Sequence, residues 1–518
     1  MRGSPPPHRR IEEQETVNEQ LTKLIRNAAV YGFGRILGKV ISFLLIPFYT
    51  HYFSAGEYGV MEILNLTAMV AAVLLAPGLS TAVMRFYYDT DDVREKKQVI
   101  STGMICTLIV GGVTVVAATA FPDAVSQALL GSSKYGTLVR LLAGGFFFTF
   151  SADIGWVYLR GKQRSGLYTF LTQAFLLVSV ALNVYFVAVR KLGVAGSFWA
   201  NIAAGSVVWA ILVSLTFREV GLHFSLKKLF ALLKFGAPLF TVWLAAFVLN
   251  YSDRFFLQRF HGIDVVGVYA VGYKFAYVLS LLVIQPFQLM WEPQAYEISK
   301  RDDAGELFSR IFVLYSSALI AVTFFLSLFI REVFEVMVGP KFVAAYRFVP
   351  LLAFAYVLQG MGLFFEAGLL IRKKNIVLSL VGITSTLACL ALNFSLIRVW
   401  GAWGAVWATF ASFAFLAGAS YWASVRVYPF HCHPAKIVQV LAWTIALLAT
   451  GALLPVDSWA VRVTVKSVLM IVFVAALLRM QLLPAGFFAT MRAEMVERLR
   501  SRLSPIVSRV GSLVKGVN

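Results

Sequence analysis

Charge is scarce in this 518-residue chain: Asp, Glu, Lys and Arg make up 14% of it, against 59% hydrophobic residues. So little polar surface excludes a soluble globular protein, in which about a quarter of residues are charged. Acidic residues are scarcest, 26 against 46 Lys and Arg, for a formal net charge of +20. Nucleic-acid binding would need those cations gathered on a folded polar face, but most lie in short gaps between apolar runs. Only three cysteines occur, Cys106, Cys389 and Cys432, two of them inside apolar runs, so no disulfide framework is expected. No G-x-x-x-x-G-K-[ST] loop is present, which argues against ATP hydrolysis by this chain. No polar stretch is long enough for an extramembrane catalytic domain, and no nucleophile and base are paired, so the chain is not expected to be an enzyme.

What it has in abundance is apolar length, with a mean hydropathy of +0.76. Runs of about 20 apolar residues cross the roughly 30 Å hydrocarbon core as helices, and about fourteen such runs can be marked. The first covers 27–50, the second 57–83, the fourth 138–159, the seventh 231–253, the eighth 265–290, and the last two 436–455 and 461–479. The fold class expected is an all-α integral membrane protein. With the N-terminus in the cytoplasm, basic groups such as Arg94, Lys96 and Lys97, Arg160, Lys162 and Arg164, and Arg372, Lys373 and Lys374 all fall inside. Both termini are then cytoplasmic. The opening residues, with Pro5, Pro6 and Pro7 ahead of Glu12, Glu13 and Glu15, do not read as a cleavable signal peptide. The stretch from Met491 to Leu503 reads as a basic amphipathic helix on the membrane surface.

The chain also repeats itself at an offset of about 210 residues. Ala181-Leu182-Asn183 recurs as Ala391-Leu392-Asn393; Gly193, Gly196, Trp199 and Ala200 recur as Gly401, Gly404, Trp407 and Ala408. Arg160-Gly161-Lys162 is matched by Arg372-Lys373-Lys374, and the segment Phe53 to Gly59 by Phe260 to Gly267 with one insertion. A repeat of six spans inserts both halves the same way. That is the parallel-repeat design of alternating-access transporters, with a central cavity between the halves. The divisions expected are a polar N-terminus over 1–23, an N-lobe over 24–217, a C-lobe over 218–427, two extra helices within 428–480, and a basic tail over 481–518.

Charges inside spans need a reason, since each costs roughly 2.5–3.5 kcal/mol near the bilayer centre. Arg35 and Lys39 share a helix face, about 12 and 18 Å into the first span. Lys274 lies near the middle of the eighth. These cations either pair with carboxylates such as Glu62, Asp153 or Asp253, or line a cationic cavity for an anionic substrate. Arg254 joins the substrate-binding candidates, whereas it and Arg85, each beside a span end, also suit interfacial anchoring. Glu62, Asp153, Asp253 and Glu366 are candidates for H+ or Na+ coupling, with Glu292 nearer a membrane surface. His431-Cys432-His433 lacks a fourth ligand, and no metal or other cofactor is expected.

The segment Asn27 to Glu62 (NAAVYGFGRILGKVISFLLIPFYTHYFSAGEYGVME) resembles the first two helices of the polysaccharide transporter family. Asp253 to Lys274 (DRFFLQRFHGIDVVGVYAVGYK) resembles that family's junction between spans seven and eight. The family consists of flippases of lipid-linked O-antigen and capsule repeat units. It lies within the multidrug/oligosaccharidyl-lipid/polysaccharide exporter superfamily, and the resemblance runs over residues 24 to 480. It implies a polyprenyl-pyrophosphate oligosaccharide as cargo and a place in the cytoplasmic membrane, among its lipids and beside the polysaccharide polymerase machinery. In that picture Arg35, Lys39 and Lys274 hold the headgroup, and the lipid tail stays in the bilayer. Competing readings are a drug or metabolite antiporter or a lipid II flippase of the same superfamily, a membrane-embedded glycosyltransferase, and a scaffold.

Overall fold

The computed structural model describes residues 43–428, 434–453 and 458–480. Arg35, Lys39, His431, Cys432, His433 and the basic tail lie outside these residues. Every described element is helical, the one open-chain solution besides a closed barrel that satisfies its backbone groups in lipid. Twelve helical stretches among the described residues are long and apolar enough to cross a bilayer. Fourteen were expected; the first, 27–50, is described only from residue 43, as helix α1 over 43–52. Two expected spans are joined in one 51-residue stretch, Asn375–Val425, which turns at Gly401 (φ 55°).

The chain forms two compact units, one comprising residues up to Leu282 together with Ile330–Val427, the other Val283–Phe329 with the residues from Tyr428 on. In the first unit, α2 (Ala55–Leu75) starts at a capping box in which Ser54 and Glu57 each bond the other's backbone amide. The expected second span, 57–83, is corrected by the structure: α2 stops at Leu75 and α3 (Leu79–Tyr88) begins a new helix. Pro77 has no amide hydrogen to give α2 and Gly78 takes φ 61°, so Pro-Gly breaks an otherwise uniform apolar run. There follow α4 (Val93–Ala120), α5 (Pro122–Leu130), α6 (Gly136–Gly161), α7 (Ser165–Asn183), α8 (Gly193–Val220), α9 (Leu226–His261) and α10 (Ile263–Leu279). In the second unit, α11 (Gln285–Ile298) places Phe287 in a stack on Tyr315 at 3.7 Å. Tyr315 comes from α12 (Ala304–Met337), and Phe324 of the same helix packs 4.2 Å from Phe473. The remaining helices are α13 (Val349–Ile371), α14 (Asn375–Leu392), α15 (Arg398–Val425), α16 (Pro434–Leu453) and α17 (Trp459–Arg479).

The duplication appears in the backbone as well as the sequence. α7 runs into a π turn at Val184–Val189 and α14 into another at Asn393–Ile397. The tight turns before them match: Gln163 and Lys373 both take φ 55°, and the bonds Arg164 N–H to Leu159 O and Lys374 N–H to Leu369 O are equivalent. A core of Leu159, Leu171 and Val208 in one half is answered by Leu369, Val381 and Leu416 in the other. The halves meet where α2 crosses α10. A Cβ on Gly59 would overlap the carbonyl oxygen of Ile263, and one on Gly267 that of Ala55, so the same contact is made twice about a pseudo-dyad. Only glycine lets two backbones approach this closely.

Gly59→Ala and Gly267→Ala are each expected to cost about 1–3 kcal/mol through forced backbone separation. Gly112→Ala in α4, where nothing lies within 4 Å, serves as the control and is expected to be neutral. Thermal unfolding of the three purified variants in detergent checks the ranking.

Candidate functional site

A cavity of about 600 Å³ opens within the first unit among α1, α2, α7, α8 and α10. Its polar lining follows from helical spacing. Tyr58, Met61 and Asn65 lie on one face of α2, Thr169, Thr172 and Gln173 on one face of α7, and Ser197 and Asn201 one turn apart on α8. Tyr49 of α1 and Tyr277 of α10 supply aromatic faces. The tyrosine hydroxyl of Tyr49 donates to Asn183 Oδ1 at 2.6 Å, while the Asn183 amide donates to the Ser179 carbonyl at 2.8 Å. Asn183 thereby ties the end of α7 to α1. In the other half Asn393 donates to Ser252 Oγ of α9 at 3.0 Å, so each half anchors the same turn to its own first helix.

Lys274 is the one cation lining this cavity among the described residues. Its ammonium donates to Glu62 Oε2 at 2.6 Å and to the Tyr58 hydroxyl at 3.2 Å, and lies 4.9 Å from the Tyr58 ring centre. The Lys274 side chain is 33% exposed and that of Glu62 only 7%, so the carboxylate sits behind the ammonium, which faces the cavity. The structure thus brings together Lys274 and Glu62, the pairing that the sequence left open beside their separate roles in headgroup binding and ion coupling.

Arg254 is fully buried. It bonds Asp253 Oδ1 at 2.7 Å and the Asn250 carbonyl at 2.6 Å, and its guanidinium lies 3.7 Å from the Tyr273 ring centre. Tyr269 donates to the second Asp253 oxygen, which closes a neutral cluster that does not line the cavity. Lys274 with Glu62 and Arg254 with Asp253 balance two for two, so these deep charges carry no cationic excess. Asp153 is exposed on α6, with Ser80 donating to it, and lines a second cavity. Glu366 is half-buried on α13, Glu292 exposed on α11, and Arg85 exposed beside Asp89 at 3.4 Å. No group of three His, Cys, Asp or Glu among the described residues could hold a metal ion.

Sequence reading passed over Tyr49, Tyr58, Asn65, Gln173, Asn183 and Asn201. The Ala-Leu-Asn triplet marked the repeat, yet an amide inside an apolar run was itself a signal, since it must find a partner or water.

The model of the polysaccharide biosynthesis protein family matches residues 24–299. The chain belongs to that family. A Haemophilus influenzae protein of the Lsg locus is 22% identical to this polysaccharide biosynthesis family member over 375 residues, covering 71% of the chain and 90% of the relative. Among solved structures, the lipid II flippase MurJ in an inward closed conformation has a TM-score of 0.71 at 12% identity, covering 88% of this chain and 99% of that one. A multidrug resistance MATE transporter in an inward-facing conformation has a TM-score of 0.61 at 16% identity, covering 75% and 94%. At these identities the likeness is one of fold alone.

Glu62→Gln alone leaves the Lys274 ammonium without its counter-charge and is expected to destabilise the protein by about 1–3 kcal/mol, less than for a fully buried pair because Lys274 is part-exposed. The double variant Glu62→Gln with Lys274→Met is expected to recover most of that loss. Unfolding of the single and double variants in detergent measures the difference.

Proposed function

We propose that this membrane transporter flips a polyprenyl-pyrophosphate oligosaccharide across the cytoplasmic membrane by alternating access. In this reading the halves 24–217 and 218–427 open in turn, both termini lie in the cytoplasm, and the lipid tail stays in the bilayer. One observation carries it: among the described residues Lys274 is the single cation lining a cavity whose other polar groups are hydroxyls and amides, set among aromatic and aliphatic side chains. An ammonium has three N–H donors. Glu62 and Tyr58 take two at Lys274, which leaves one and a third of the side-chain surface for a phosphate oxygen. Thr172, Gln173, Ser197 and Asn201 both donate and accept, as the hydroxyls of a sugar require, and Tyr49, Tyr58 and Tyr277 offer ring faces. Arg35 and Lys39, which lie outside the described residues, are assigned to the same headgroup from their four-residue spacing in the first span.

A drug or metabolite antiporter with cationic cargo would be served by a carboxylate in the cavity wall, and among the described lining residues there is none. Lipid II chemistry remains the second reading, because the fold is shared with a lipid II flippase and the pyrophosphate would meet the same lysine.

The test is translocation of labelled polyprenyl-pyrophosphate cargoes in proteoliposomes, with an oligosaccharide repeat unit and lipid II assayed side by side. The repeat unit is expected to move, and Lys274→Ala to slow it about tenfold or more, the loss of roughly 1.4 kcal/mol or more of interaction. Equal flipping by Lys274→Ala, or efflux of a cationic dye by a parent protein that moves neither lipid, overturns the reading.

A further inference from the structure

The duplication offers each half as a control for the other's surface charge. The matching turns make Arg164 the counterpart of Lys374 and Lys162 that of Arg372, two residues on from the match read in the sequence. α8 and α15 share a register of their own: Gly193 and Gly401, at corresponding turns, take φ 57° and 55°, so Arg218 corresponds to Arg426 and Glu219 to Val427. In each half the turn and the helix end meet at one corner. In the first half the contact is direct, Arg164 to Glu219 at 2.5 Å, and Tyr158 donates to the same carboxylate at 2.7 Å. In the second half Leu369, Val377, Leu378, Ala423 and Val427 pack in one cluster across the corner.

The charges at the two corners differ. The first carries Lys162, Arg164 and Arg218 with the carboxylate of Glu219; the second carries Arg372, Lys373, Lys374 and Arg426, with Val427 where the carboxylate would be. Lys373, Lys374 and Arg426 are exposed, and no carboxylate among the described residues lies within 4 Å of any of them. α14 starts at Asn375 without a side-chain cap, so the partial positive charge of its N-terminus adds to theirs. The Arg426 guanidinium lies 3.5 Å from the ring centre of Trp422, one turn back on α15, and Trp422 is itself exposed, as aromatics at a bilayer interface are. From the same corner an apolar stripe runs along α14: Ile376, Leu380, Ile383 and Leu387 are all exposed and share one helix face. A cationic corner at the foot of an apolar stripe fits an anionic head on acyl chains. None of these residues lines the cavity that holds Lys274, so the corner is separate from the cargo's headgroup site.

We propose that the second-half corner is a docking site for the phosphate head of an anionic membrane phospholipid, held by Lys373, Lys374 and Arg426, with the acyl chains along Ile376, Leu380, Ile383 and Leu387. The two ammonium groups act on the phosphate as point charges, and the Arg426 guanidinium supplies a planar fork for two of its oxygens. The first-half corner lacks this capacity, because Glu219 neutralises Arg164 and takes its guanidinium in two bonds, at 2.5 and 3.0 Å. Placement of the docked lipid in the cytoplasmic leaflet rests on the orientation proposed above; the docking itself does not.

The test uses the full-length protein, delipidated in neutral detergent and titrated with phosphatidylglycerol or with phosphatidylcholine of the same acyl chains, bound lipid being counted by native mass spectrometry. Saturable binding of phosphatidylglycerol and not of phosphatidylcholine is expected in the parent. Its midpoint is expected to rise by about tenfold in the double variant Lys374→Gln with Arg426→Gln. Val427→Glu, which puts a carboxylate where the first half has Glu219, is expected to weaken binding in the same direction. Lys162→Gln with Arg218→Gln removes as much charge from the first-half corner and is expected to leave the midpoint unchanged. All four of these charged positions are exposed, so the variants are expected to fold. Equal binding of the two phospholipids, an unmoved midpoint in Lys374→Gln with Arg426→Gln, an equal shift from the first-half variant, or a polyprenyl phosphate that outcompetes phosphatidylglycerol at this corner overturns the assignment. No flipping is measured, so a failed lipid test leaves the flippase reading standing, and failed flipping with intact lipid docking leaves this site standing.

Discussion

Lys274 and Glu62 come from different halves of a duplicated chain, and each is tolerable in hydrocarbon because of the other. An unpaired charge there costs several kcal/mol. The pair is set by the way α2 crosses α10, where Gly59 and Gly267 let the two backbones touch. Tyr58 and Glu62 flank Gly59 on α2, and Lys274 follows Gly267 by two turns on α10. The glycine contact that joins the halves therefore also fixes the ammonium at the cavity wall. A lysine held from behind by a buried carboxylate keeps its charge without collapsing the cavity around it.

The two halves kept the scaffold and diverged in what it encloses. Their cores of Leu159, Leu171 and Val208 and of Leu369, Val381 and Leu416 correspond position by position, and a π turn follows α7 as another follows α14. At positions equivalent to Gln173 and Asn201, which line the polar cavity, the second half carries Ile383 and Thr409. Of its charges, Asp253 and Arg254 are sealed among Tyr251, Tyr269 and Tyr273, whereas Lys274 reaches the shared cavity. The first half thus provides most of the accessible polar lining, to which the second adds Lys274 and Tyr277.

Much of this was legible in the sequence because hydrophobic length and repeat spacing are local signals. The spans of α6, α16 and α17, the six-span offset and the odd chemistry of Lys274 could all be read from the sequence pattern. The break at Pro77–Gly78 was readable too, but an uninterrupted apolar run masked it. Pairing was an open alternative, but which carboxylate takes which cation was not readable. Glu62 and Lys274 are more than two hundred residues apart, and only the crossing of α2 with α10 decides that they neutralise each other. Arg254 was open to more than one reading: beside a span end it suits an anchor or a ligand, beside Asp253 a structural pair, and packing against Tyr273 encloses that pair.

The most direct test of the central claim is an experimental structure in a lipid nanodisc with a polyprenyl-pyrophosphate oligosaccharide bound. The account predicts a phosphate oxygen within hydrogen-bond distance of Lys274 Nζ, with the sugar against α7 and α8 and Glu62 still behind the ammonium. A headgroup seated elsewhere, with Lys274 held by Glu62 and Tyr58 alone, would contradict it.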